Sequence, residues 1–151
     1  MSGTGSDTKL VLPGLRGFYD SFFDVAYTLM RVAIGCILFV HGWGKLQVGA
    51  AVIAGSMAKS GLEPGIAFAY AAMVLETIGA ACVAIGLFTR FFAPALAIEM
   101  AIAFIFVHGP KGFSVSKGGF EYILLLGIVL FVIAIRGGGP YSADRAIGKE
   151  L

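Results

Sequence analysis

Four long apolar stretches dominate the chain, and each carries an ionisable residue that a lipid-facing helix excludes: Arg31 in the first, Glu76 in the second, Glu99 in the third and Glu121 in the fourth. A charged side chain at bilayer depth costs about 2.5 to 3.5 kcal/mol on insertion scales, so it is normally found facing protein, water or a partner charge. The pattern predicts an all-α membrane four-helix bundle with a polar interior.

Counted between flanking charges, the spans are Val25–Gly44, Gly65–Phe88, Phe91–His108 and Gly119–Ile135. Each falls within the range of roughly 17 to 25 residues that crosses a hydrocarbon core about 30 Å thick, the last being the shortest. Only 13% of residues are charged, against about 25% in soluble domains, so little chain is left for a soluble domain. The organisation that follows is a leader over 1–24, a membrane domain over 25–136 and a tail over 137–151. No run of Lys or Arg resembles a nucleic-acid arm, so nucleic acid is not an expected partner. Cys36 and Cys82 lie inside the first two spans without Cys-x-x-Cys or Cys/His spacing, and read as apolar packing residues rather than metal ligands.

Residues 1–24 contain Asp7, Asp20 and Asp24 and no apolar core, so no cleavable signal peptide is expected and the first span inserts as its own anchor. Leu15, Phe18, Phe22 and Ala26 recur at helical spacing, which predicts a short amphipathic helix lying in the interface. The alternative is a cytoplasmic extension of the first span.

An even number of spans places both termini on one side. Lys9, Arg16, Arg90, Arg136, Arg145 and Lys149 would share that side, against Lys45, Lys59, Lys111 and Lys117 on the other, which leans the termini towards the cytoplasm. Phe88-Thr89-Arg90-Phe91 leaves room only for a tight turn, so spans two and three must be antiparallel neighbours. Gly65, Ala69, Ala72, Glu76, Gly79 and Ala80 share one face of span two, a small-residue stripe that admits a second helix closely. Thr28, Arg31, Gly35, Gly42 and Lys45 do the same in span one, and Ala95, Glu99 and Ala103 in span three.

Depths follow from the helical rise. From the terminal-side interface, Arg31 is about 9 Å deep, Glu99 about 12 Å and Glu76 about 18 Å, whereas His41 and Lys45 fall at about 24 and 30 Å, near His108 and Glu121. This predicts an inner polar core of Arg31, Glu76 and Glu99, a candidate ligand or proton site, and an outer cluster of His41, Lys45, His108 and Glu121. One arginine cannot neutralise two carboxylates, so the second must carry a proton or find another donor. Such a group can pass a proton or hydrogen-bond a quinone oxygen. The plainer alternative is an Arg31 to Glu ion pair that locks helix register. The outer residues also suit an interface, where Trp43 and a snorkelling lysine are at home, and no metal is expected there.

At these residues the chain resembles the DoxX family of small four-helix membrane proteins. The resemblance rests on Arg31 ten residues before His41-Gly42-Trp43-Gly44-Lys45-Leu46, then Glu76-Thr77-Ile78-Gly79, Gly86-Leu87-Phe88-Thr89-Arg90, Gly119-Phe120-Glu121-Tyr122 and Gly139-Pro140-Tyr141-Ser142-Ala143-Asp144. The triple glycine before Pro140 and Ala143 in place of leucine depart from the usual closing motif. The resemblance implies an integral protein of the bacterial inner (plasma) membrane, with relatives linked to quinone-dependent sulfur oxidation, oxidative-stress complexes or assembly of other membrane proteins. Three functions are compatible with the chain. It is an accessory or assembly subunit bound to another membrane protein or to further copies of itself, a quinone-binding or proton-relaying component of a membrane oxidoreductase, or a small-solute or proton transporter. The lack of a covalent nucleophile favours the first.

Overall fold

A computed structural model of the chain describes residues 9–150; the first eight residues of the expected leader lie outside the described residues. Every regular element among the described residues is helical. Helix α1 (Arg16–Val48) is followed by α2 (Ala50–Lys59) and α3 (Gly65–Val74). A π-helical turn over Leu75–Gly79 joins α3 to α4 (Ala80–Ile85). Helix α5 (Thr89–Ile102) runs on through a second π turn, Ala103–His108. Helix α6 (Glu121–Arg136) and the short α7 (Ala143–Ile147) complete the chain.

Among the described residues, three continuous helical stretches are long and apolar enough to cross a membrane: Pro13–Val48, Gly65–Ile85 and Thr89–Lys111. Helix α6 is equally apolar but has 16 residues, about 24 Å of helix. Its inner face supplies Leu126, Leu130 and Ile133 to a core shared with Ile34 and Leu38 of α1, Ala80 and Val83 of α4, and Ala93, Leu96 and Met100 of α5.

The leader does not form a separate interfacial helix. Helix α1 is unbroken from Arg16 to Val48, because residues 20–34 contain neither Gly nor Pro and the apolar period of the leader continues in phase into the span. A break comes only at Gly49, after which α2 lies along the first turns of α3. There the Gly65 backbone meets that of Ala54 so closely that a Cβ would sit 2.4 Å from the Ala54 carbonyl oxygen.

The small-residue stripe of span two is buried along its length, from Gly65 and Ala69 through Ala72, Glu76 and Gly79 to Ala80. Against it α1 presents Gly35, which faces Ala80 and Ala84, and Gly42, which faces the Glu76 backbone. At both places two helices touch main chain to main chain, which only small residues permit. After α6 the tail folds back under the α4–α5 turn, and Ser142 caps α7 by accepting the Arg145 amide at 3.2 Å.

Candidate functional site

The polar residues of the interior form two separate groups, divided differently from the grouping predicted by depth. The first surrounds the turn between α4 and α5. Arg31 is 1% exposed, and its guanidinium donates to the carbonyls of Val83 and Ala84 at the C-terminal end of α4 and to Tyr141 of the tail, each at 2.7 Å. A cation at the carbonyl end of a helix meets both unpaired acceptors and the negative end of the dipole. Gly86 makes room for it. Its φ of 73° favours glycine, and a Cβ there would lie 2.7 Å from Arg31 Nη1.

Asp144, 2% exposed, performs the complementary task on α5. Its carboxylate accepts the amides of Phe88 at 2.6 Å and Thr89 at 3.0 Å, the unpaired donors at that helix start. Its own amide donates to Gly86 O at 2.8 Å. The two ends of the hairpin are thus closed by opposite charges, Arg31 from α1 and Asp144 from the tail. Around them, Arg136 bonds Asp24 at 3.1 Å and stacks over Tyr27, the Tyr27 hydroxyl donates to Gly137 O, and Arg90 pairs with Glu150 at 3.1 Å.

The second group is Lys45, Glu76 and Glu99. Lys45 forms an ion pair with Glu76, and Glu99 of α5 faces the same pair. Arg31 therefore does not belong with the two carboxylates, and Lys45 does. The reason lies in how α1 is offset against α4. Arg31 sits level with the carbonyls that end α4, so depth counts from about Arg31, not from Val25. Lys45 is then about 21 Å from that level. Helical side chains also lean towards the helix N-terminus, which brings its ammonium back towards Glu76, about 15 Å from Gly86 along its own helix.

Local sequence aims these groups. Glu76 lies in the π turn Leu75–Gly79, an irregularity that often marks functional positions within helices. Gly42 seats α1 directly on the Glu76 backbone, placing Lys45 one turn further on. Lys45 keeps 26% of its side chain exposed and Glu76 6%, so the pair is reached from the Lys45 side. One oxygen of each carboxylate, Glu76 Oε2 and Glu99 Oε2, is buried with no hydrogen-bond partner. Two carboxylates facing one ammonium leave room for one further positive charge, a proton or a cation.

The remaining outer residues do not converge. His41 is exposed, with its ring 6.2 Å from that of Tyr122. His108 bonds Gly118 O at 2.7 Å, and Glu121 accepts the Val115 amide at 2.9 Å, so both brace the 109–120 loop. Among the described residues no three His, Cys, Asp or Glu side chains gather as metal ligands do. An apolar groove of about 550 Å³ runs between α5 and α6 past Pro94, Ala97 and Gly127; none of the charged residues lines it.

Sequence reasoning missed Asp144 and Tyr27 as partners in the hairpin lock. The usable signal was the closing Gly139–Asp144 motif: an acidic residue there has a pair of helix-start amides to serve.

The DoxX family model matches residues 26–109. A protein of Haemophilus influenzae (strain ATCC 51907 / DSM 11121 / KW20 / Rd), named only as uncharacterized, is 29% identical over 126 residues, covering 80% of this chain and 90% of its own. The Bacillus subtilis (strain 168) protein named "Putative oxidoreductase CatD" is 36% identical over 106 residues, covering 69% of this chain and 75% of its own. No solved structure matches.

Proposed function

The chain belongs to the DoxX family of membrane proteins, and from that premise we propose that it is an accessory subunit of an inner-membrane redox complex, with α6 as its fourth span. In this reading Lys45, Glu76 and Glu99 hold and exchange one proton within the bilayer. The observation that carries the proposal is the pair of orphaned carboxylate oxygens, Glu76 Oε2 and Glu99 Oε2, buried beside a single ammonium. A carboxyl pair short of one positive charge in low dielectric is built to take and give a proton.

The carrier that delivers electrons and protons in such a membrane is a quinone. Its ring would exchange protons with the Lys45 side of the site, where the pair is partly exposed. The oxidoreductase name of the Bacillus relative supports this class. In this reading the partner complex transfers the electrons and this chain handles the accompanying proton. The termini face the cytoplasm in this arrangement.

The test compares quinone-linked respiration in membranes carrying the wild type, Glu76→Gln or Glu99→Gln in place of the native protein. The expected result is a loss of activity in both variants with protein level and thermal stability retained. Unchanged activity in both, at equal protein level, overturns the proton role and leaves the triad as helix packing.

A further inference from the structure

Helix α1 buries one side and exposes the rest, where Tyr19, Phe23, Ile37 and Val40 are exposed. Tyr27, Arg31, Ile34, Leu38 and Gly42 turn inward and are buried. The opposite side holds an uninterrupted apolar seam. Starting at Leu15, alternating steps of three and four residues land on Phe18, Phe22, Val25 and Leu29 and continue without a miss to Leu46, and each landing is an exposed apolar side chain. That is the a/d repeat of a coiled coil, kept over more than four heptads.

The lipid core does not account for its length. The seam from Leu15 to Leu46 is about 46 Å long, against a hydrocarbon core of about 30 Å. Because Arg31 lies at the level of the α4–α5 turn, Leu15 stands about 24 Å beyond that level, past the depth that an interfacial region covers. Phe18 and Phe22 nonetheless expose more than half their surface.

We propose that this seam is the interface of a parallel homodimer in which α1 pairs with α1 of a second copy. Charge placement selects this occupant. In the register that puts Leu15 and Phe18 at a and d, the charged residues Arg16, Asp20 and Asp24 fall at b, f and c, away from the contact. The flanking e and g positions of that stretch hold Tyr19, Ser21, Ala26 and Thr28, so two identical helices meet without like-charge repulsion. A lipid headgroup surface would call for a basic polar face, and this one sets two carboxylates, Asp20 and Asp24, against one arginine, Arg16. Two copies in one bilayer already share their direction, as a parallel pair requires.

The register places Cys36 at an a position, against Cys36 of the partner copy. In vesicles, with Cys82→Ala as background, mild oxidation should yield a Cys36-linked dimer. With Cys36→Ala added, cysteines placed singly at Phe18, Phe22 or Val25 should each give several times more dimer than cysteines at Arg16 or Asp20. The double variant Phe18→Lys/Phe22→Lys changes only exposed side chains, and should keep its thermal stability while losing the Cys36 dimer. No dimer at seam positions, or equal yields on both faces, overturns the proposal. So does a Phe22→Cys thiol shielded by lipid alone or captured by a different protein. The test reads pairing only, and its outcome is independent of the proton role of Glu76.

Discussion

Gly42 rests directly on the main chain of Glu76: a Cβ at position 42 would lie 2.5 Å from the Glu76 carbonyl carbon and 2.6 Å from its oxygen. Backbone cannot yield as a flexible side chain can, so Gly42→Ala should cost about 1 to 3 kcal/mol, as overpacking does. It should also part Lys45 from Glu76. Gly44, with open space around its Cβ position, is the control. Gly44→Ala should leave stability unchanged or raise it by up to about 1 kcal/mol. Thermal unfolding of both variants in detergent checks the contrast.

Arg31→Ala should be among the most damaging substitutions in the chain, for a reason other than a lost ion pair with glutamate. It strips donors from three carbonyls, Val83, Ala84 and Tyr141. Each buried acceptor left unmet costs about 1 to 3 kcal/mol, so a total of about 3 kcal/mol or more is expected. Arg31→Lys should recover only part of this, since an ammonium lacks the planar fork that spans the helix end and the tail. Wild-type stability in the alanine variant would show water in place of the guanidinium.

Asp144→Ala should cost about 1 to 2 kcal/mol, the usual loss for a helix-start acceptor, and should release the tail. Limited proteolysis reads the second effect, with cleavage after residue 136 expected well before the helical core is cut. Asp144→Asn keeps one acceptor oxygen and should fall between the two.

Lys45→Met should destabilise the protein by leaving Glu76 and Glu99 together without a cation. Adding Glu76→Gln should restore part of the loss, giving a coupling of about 0.5 to 3 kcal/mol between the two positions. Additive effects in the four-member cycle would mean that the pair contributes nothing measurable.

Much of the bundle was legible because burial in a membrane protein is written in small residues. Gly65, Ala69, Ala72 and Ala80 marked the packed face of span two, and Gly35 and Gly42 its counterpart on α1. The membership of the polar groups was less legible. Counting depth from Val25, the first residue after Asp24, sets the wrong zero, because α1 begins at Arg16 and it is Arg31 that stands level with the α4–α5 turn. A shift of six residues moves every level on that helix by about 9 Å, enough to exchange Lys45 for Arg31 as the partner of the glutamates. Asp144 escaped for another reason: its partners are backbone amides, so the closing motif that contains it points to no side-chain partner.

The capping of the α4–α5 hairpin has a consequence for biosynthesis. Arg31 emerges from the ribosome early, but Tyr141 and Asp144, which make the contacts on either side of Gly86, emerge only after α6 has been made. Until then the turn holds a guanidinium short of one acceptor and helix-start amides without their carboxylate. A chain halted before residue 141 carries α1 to α6 and still lacks the closing contact, so the hairpin is sealed only once the segment through Asp144 has been made.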